Sequence, residues 1–318
     1  MLSILLIGAG QIGSRHLQGL ASTSLSFNII VVDSSDTSLS IAKIRWKEVG
    51  GDQSSHKISW FRVLPKNIKS FDLAIVATSS KNRAILVEQV VQSASVNYWV
   101  LEKVLAQSKQ ELEFTNSTIT DAKGIWVNTP RRLTSWHQQL KLKFYDQGPL
   151  TIKKVGGMWG LACNSIHFID LVAWWTSESL LSVNTDRLDQ TWFKAKRSGY
   201  FEITGELLIS FSGGSKLILQ SNPNNIEDII NVELSNKSIW KINESKAIAS
   251  SSKKDILNGK YDLQSDITGP MVTEIFTQGT CGLPNLKESS KQHAIFLDSM
   301  LKHWNTFNKS NDKVVPIT

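Results

Sequence analysis

The run MLSILLIGAGQIGSRHLQGL at the amino terminus constrains the fold more tightly than any other part of the chain. Residues 3–7 form a short apolar run suited to a buried strand, and the helical spacing of Ile12, His16 and Leu20 begins directly after it. Gly8, Gly10 and Gly13 therefore fall at a strand-to-helix junction, the setting in which Gly-x-Gly-x-x-Gly has a mechanism. Gly8 allows a tight turn, Gly10 admits a pyrophosphate close to the backbone, and Gly13 lets helix and strand approach. Gln11 and Ile12 open the helix, whose unpaired N–H groups face the anion.

Asp33 lies twenty positions beyond Gly13 and ends the apolar run Ile29-Ile30-Val31-Val32. A carboxylate there accepts hydrogen bonds from the adenosine ribose hydroxyls and repels a 2′-phosphate. NAD(H) is the expected cofactor on this ground. Ser34, Ser35 and Arg15 leave room for NADP(H), and a plain turn aspartate is the bland alternative.

With 318 residues the chain is long enough for two domains with cores of their own. Its apolar run at residues 3–7 passes straight into the glycine motif and reads as a first strand rather than a targeting segment. No apolar stretch approaches the length of a membrane span. Two cysteines, Cys163 and Cys281, fit a reducing cytoplasm better than a disulfide framework. The net charge of +7 is spread over Lys153-Lys154, Lys194/Lys196/Arg197 and Lys253-Lys254, without an aromatic-interleaved stripe. A solvated surface with some attraction for anionic substrates is expected, not nucleic-acid binding.

Up to residue 128, strand-like segments (3–7, 28–32, 57–60, 72–77, 98–101, 125–128) alternate with helix-like ones (from 10, 37–47, 81–93, 107–122). This alternation predicts a parallel doubly wound sheet. From about residue 150, segments 151–158, 201–211, 215–220, 229–234 and 237–242 suggest a largely antiparallel sheet, open on one face. Helices are predicted at 164–175 and 288–308. The expected class is α/β, with a dinucleotide-binding domain at 1–128 and a substrate-binding and oligomerisation domain at 129–318. The helix at 288–308 has room to pack back on the first domain.

Two further places look chemical. Leu101-Glu102-Lys103 ends a predicted parallel strand, and ligands of such sheets lie beyond the strands' carboxyl ends. A lysine there can hydrogen-bond a hydroxyl or carbonyl oxygen and favour a developing alkoxide; a surface-loop lysine is the alternative. In the second segment Cys163, His167, Asp170 and Trp174 recur at helical spacing on one face. His167 can relay a hydroxyl proton with Asp170 orienting it, or be a satisfied, partly buried histidine. Cys163 and His167 lack a third and fourth ligand at metal-site spacing, so no metal is expected. Trp159, near this segment, can stack on a sugar ring or serve the core.

Taken in order, GAGQIGSRH, VATSSKNRA, LEKV, IHFIDL and LPNLKESSKQHAIFLDSMLKH resemble the Gfo/Idh/MocA oxidoreductases over nearly the whole chain. The resemblance implies a Rossmann domain followed by an α/β domain whose sheet often serves subunit association, hence a homodimer or homotetramer. It implies NAD(P)-dependent oxidation or reduction of a sugar, sugar nucleotide or cyclitol. Lys103 inherits the catalytic lysine role and His167 that of the active-site histidine. Thr78 and Ser80 match cofactor-lining positions, Glu102 opens the Glu-Lys-Pro motif beside the cofactor, and Arg132 lies where substrate contacts arise.

Three residues depart from that pattern. Val104 replaces a proline, and before valine a cis bond costs ~3 kcal/mol more than trans. Arg83 stands in place of a histidine. Cys163 stands in place of a carboxylate, and Asn164 beside it can hydrogen-bond a substrate but cannot accept a proton at neutral pH. Proton transfer then rests on Lys103 and His167. A second reading follows from these departures: a nucleotide-binding sensor or scaffold that has lost turnover. A third and weaker reading is a nucleic-acid-binding protein.

Overall fold

The computed structural model describes every residue, Met1–Thr318. They divide into two compact units, one of Met1–Ala106, Gln110–Leu133 and Asp262–Lys287, the other of Gln107–Lys109, Thr134–Tyr261 and Glu288–Thr318.

The first unit is built on β1 (Leu2–Ile7), α1 (Gln11–Ala21), β2 (Phe27–Val32), α2 (Asp36–Glu48) and β3 (Lys57–Phe61). It continues through β4 (Ser70–Val76), α3 (Arg83–Ser93), β5 (Ser95–Glu102), α4 (Lys109–Thr118) and β6 (Gly124–Asn128). The strands form one sheet in the order β3-β2-β1-β4-β5-β6, with every neighbouring pair parallel. The order reverses between β1 and β4, which makes the carboxyl ends of these two strands the switch point where ligands of such sheets bind. The near-continuous apolar runs of β1, β2 and β4 are buried on both faces, as a parallel sheet requires.

The second unit opens with α5 (Ser135–Phe144), β7 (Thr151–Gly156), α6 (Leu161–Thr176) and β8 (Leu180–Leu188). A hairpin of β9 (Phe193–Lys194) and β10 (Phe201–Glu202) comes next, then β11 (Gly205–Phe211) and β12 (Lys216–Ser221). The strand series ends with β13 (Ile229–Glu233), β14 (Ile239–Asn243), β15 (Ile248–Ser251) and β16 (Ile256–Asn258). Eight of these strands form a sheet in the order β16-β15-β14-β13-β7-β12-β11-β8. All its neighbouring pairs are antiparallel except β12 with β7. Burial alternates along β7, β11, β12 and β13, so one face carries Ile152, Leu207, Leu217, Leu219 and Val232 into the core. Helix α6 packs on that sheet at β12.

The last helices are α7 (Gln264–Gln278) and α8 (Leu286–Asn308). A single cut at residue 128 does not describe the chain, because residues 262–287 return to the first unit and 288–318 belong with the second. Helix α7 packs on α1 at a glycine-to-glycine crossing: a Cβ at Gly19 would lie 2.7 Å from Ser265 O and one at Gly269 would lie 2.8 Å from Gly19 O. The segment expected as one strand over 201–211 is two, β10 and β11, parted before Gly205. That residue has φ +107°, and a Cβ there would meet the Leu188 backbone at 2.6 Å. No helix is long and apolar enough to cross a membrane.

Candidate active site

Gly8, with φ +92°, turns the chain out of β1, and a Cβ on it would lie 2.7 Å from Ala77 O. At Gly13 a Cβ would fall 1.7 Å from Gly8 O, so only glycine lets α1 start this close to the strand. Gly10 is different: nothing lies within 4 Å of its Cβ position, which leaves the backbone open on that side. Helix α1 begins there with no side-chain cap and no acidic residue in its first turn. Its N–H groups and partial positive charge are thus available to an anion. Gln11 is turned to Arg45, whose Nη2 donates to Gln11 Oε1 at 2.7 Å, and Ile12 is 39% exposed.

Asp33 ends β2 beside this loop. The Ala9 N–H donates to its Oδ2 at 2.7 Å and the Ser35 N–H to its Oδ1 at 2.8 Å. The carboxylate is fixed in place by backbone donors, with lone pairs remaining on both oxygens. Thr78 follows β4, and its Oγ1 is a buried hydroxyl without a hydrogen-bond partner. Ser80 is buried close by in the chain. An open glycine cradle, an anchored acidic residue and an orphaned hydroxyl at one edge of the sheet all fit a dinucleotide. Glu102 ends β5 with Lys103 directly after it, and Arg132 follows β6, so these residues also lie at that edge.

Behind Lys103 runs a polar network that the local sequence did not reveal. His16 is fully buried, with Nε2 3.1 Å from Glu102 Oε1 and Nδ1 2.9 Å from Thr268 Oγ1. The Thr268 hydroxyl also lies 2.8 Å from Gln264 O, so it joins the imidazole to the backbone of α7. Asn128 Nδ2 donates to Glu102 Oε1 at 2.5 Å and to Gln264 Oε1 at 2.9 Å. Burial alone would push the Glu102 carboxyl up. Hydrogen bonding and charge from His16, the Asn128 amide and the Lys103 ammonium outweigh it and hold that carboxyl below the ordinary glutamate range. Arg83, also buried, donates from Nη1 to Glu102 O at 2.5 Å and to Val104 O, and from Nη2 to Thr78 O. The Lys103–Val104 peptide bond is cis.

In the second unit, His167 and Asn164 lie on α6, which starts at Leu161, three residues before the predicted helix. The extra turn has a physical cause: the buried Glu202 carboxylate of β10 accepts the Ala162 N–H at 2.8 Å and the Cys163 N–H at 3.2 Å. Glu202 Oε1, Cys163 Sγ and Asn164 Nδ2 all approach within 3.2 Å of one point, the Cβ position of Gly160. A carboxylate therefore stands beside Cys163 after all, supplied from a different strand. Asn164 Nδ2 donates to Trp159 O at 2.8 Å. Trp159 donates from Nε1 to Gln220 O at 3.0 Å, and the buried Lys154 ammonium lies 5.0 Å from its ring centre. Asp170 is buried, and Trp174 lies under the Lys141 ammonium at 4.5 Å.

No protein-family model and no curated protein sequence matches the chain. Solved structures do. An oxidoreductase from Agrobacterium radiobacter, in complex with NAD+, L-tartaric acid and magnesium, superposes with a TM-score of 0.71 at 14% identity, over 96% of this chain and 97% of that one. The myo-inositol dehydrogenase of Lactobacillus casei, in complex with NAD(H) and myo-inositol, gives 0.67 at 13% identity over 96% and 95%. UDP-N-acetylglucosamine 3-dehydrogenase from Acidithiobacillus ferrooxidans gives 0.68 at 11% identity over 94% and 97%. The chain shares their fold. At these identities the likeness to the dehydrogenases is one of architecture, spanning both units and nearly the full length of each chain.

Proposed function

We propose that the chain is a cytoplasmic NAD(H)-dependent oxidoreductase acting at a carbinol or carbonyl carbon of a sugar, sugar nucleotide or cyclitol. The observation that carries this reading is the cradle at Gly8, Gly10 and Gly13, open over Gly10, with Asp33 anchored beside it and Lys103 at the same sheet edge. Gly10, Gln11, Ile12 and Gly13 would hold the diphosphate, Asp33 the adenosine ribose, and Thr78, Ser80 and Glu102 the remainder of the cofactor. The nicotinamide supplies the hydride acceptor or donor when bound. Lys103 Nζ hydrogen-bonds the substrate oxygen and favours its alkoxide form, and the His167 imidazole takes or returns the hydroxyl proton. Arg132, Trp159 and Asn164 contact the substrate. The bound ligands of the structural neighbours, NAD(H) with myo-inositol among them, support both the cofactor and the substrate class.

The outer face of the eight-stranded sheet brings Leu208 opposite Ile218, and Val155 opposite Ile229, all only partly buried. This supports a homodimer or homotetramer formed through that face.

The test is a fluorescence titration with NAD(H) followed by single-turnover assays against cyclitols, sugars and sugar nucleotides, read by nicotinamide absorbance. Binding followed by redox change with at least one polyol is the expected result. Neither oxidised nor reduced dinucleotide binding at all would overturn the proposal. Cys163 favours a second reading, a sensor or scaffold, and cofactor binding without redox change across the whole panel is its signature.

A further inference from the structure

Arg83 sits at the first position of α3 with 1% of its surface exposed, and it reaches the backbone of two other segments. One nitrogen, Nη1, serves the carbonyls of both Glu102 and Val104, the residues on either side of Lys103. The other, Nη2, serves the carbonyl of Thr78, beyond the end of β4. A guanidinium is a rigid planar fork, so three acceptors held by its two arms are fixed relative to one another. The carbonyls of residues 102 and 104 are thereby tied through one rigid group to that of Thr78.

We propose that Arg83 is the positioning residue for Lys103, setting where the lysine stands relative to the Thr78 turn. The assignment rests on the reading of Lys103 as the group that binds the substrate oxygen. A lysine side chain has four rotatable bonds and no fixed geometry of its own. Its placement comes from the backbone that carries it, and here both flanking carbonyls are tied to one cation. Glu102 adds a second restraint on the same short segment through His16 and Asn128. The two restraints differ in kind: the Glu102 network holds a side chain, whereas Arg83 holds the main chain on both sides of Lys103.

The test compares wild-type protein with Arg83→Met and Arg83→Lys, using limited acetylation and mass spectrometry to measure the rate at Lys103. The remaining lysines in each digest serve as internal standards, and circular dichroism establishes that each variant is folded. The expected result is a change of at least about threefold in the Lys103 rate in Arg83→Met, with the standards unaltered. Arg83→Lys keeps the charge but not the fork, so its Lys103 rate should shift in the same sense by a smaller factor. A Lys103 rate equal to wild type in either folded variant overturns the assignment. Loss of fold in both variants also overturns it, since Arg83 would then support the whole unit rather than one residue. Acetylation needs neither nicotinamide nor polyol, so the result stands whether or not the enzyme reading survives. A chain that turns over a polyol yet shows an Arg83-independent Lys103 rate loses only the positioning role.

Discussion

Glu102 lies buried between His16 and Asn128, and its carboxyl is held below the ordinary value near 4.5 despite the opposing effect of burial. In the unfolded chain it takes up a proton near that ordinary value; in the folded chain it does so at lower pH. The stability it contributes is therefore fully present above 4.5 and is lost as pH falls through the lower folded value. Glu102→Gln replaces the charge-assisted hydrogen bonds from His16 and Asn128 with weaker amide ones, at an expected cost of ~2 kcal/mol at neutral pH. It also removes one source of acid sensitivity, so urea midpoints followed from neutral pH to about 3 should decline less than in wild type. An acid limb as steep as wild type's would contradict the assignment. Asp33 makes a separate prediction. Asp33→Ala should weaken NAD(H) about tenfold or more through lost charge-assisted hydrogen bonds, and NADP(H) by less because repulsion of the 2′-phosphate also disappears. Calorimetric titration with both dinucleotides measures the difference. The turn at Gly8, Gly10 and Gly13, the place of Asp33 after β2 and that of Lys103 after β5 are legible in the sequence because near neighbours along the chain set them. In the sequence His16 marks only a helix face, since its partners Glu102 and Thr268 are 86 and 252 positions away. Arg83 and Val104 were visible only as separate departures from a family pattern, and their hydrogen bond joins them.

Helix α6 shows how an element's length can depend on a residue outside it. Its N-cap is Gly160, which offers no side chain, and its first turn contains no acidic residue. The cap comes from Glu202 on β10, 40 positions from Ala162. A residue pattern confined to the helix could place its middle but not its start. Glu202→Ala would leave the buried Ala162 N–H and the part-buried Cys163 N–H without their carboxylate acceptor and is expected to cost ~2 kcal/mol, read from the urea midpoint. Glu202→Gln, which keeps one carbonyl oxygen, should recover part of that loss. Equal midpoints for wild type and the alanine variant would mean that water caps the helix equally well. The parallel strands were easier to read because each is an uninterrupted apolar run. Strand β8, buried only at Leu180, Val183 and Leu188, offers no such signal, and the Gly269-Pro270 pair interrupts the helical pattern of α7.

The course of the chain between the two units makes α7 part of the first unit's core rather than an appendage of the second. Met271, Val272 and Ile275 are each at most 1% exposed and belong to the same apolar cluster as Ile4, Leu17, Leu20 and Ile29. The packing is close, because the crossing at Gly19 and Gly269 brings the two backbones together, and His16 spends one of its two hydrogen bonds on Thr268. Full burial of three such side chains is worth roughly 1.5–3 kcal/mol each. Their sum is comparable with the ~5–15 kcal/mol that stabilises a whole domain. A fragment ending at residue 133 retains the glycine cradle, Asp33 and all six strands of the parallel sheet, yet it exposes this apolar face of α1 and leaves His16 without Thr268. It is expected to lack a cooperative thermal transition, to bind a hydrophobic dye, and to bind NAD(H) at least about a hundredfold more weakly than the full chain. Joining residues 262–287 to that fragment through a flexible linker should restore a cooperative transition, because the helix then supplies both the missing apolar side chains and the threonine. Cooperative unfolding of the shorter fragment alone, measured by circular dichroism, would show that the sheet and its own helices suffice.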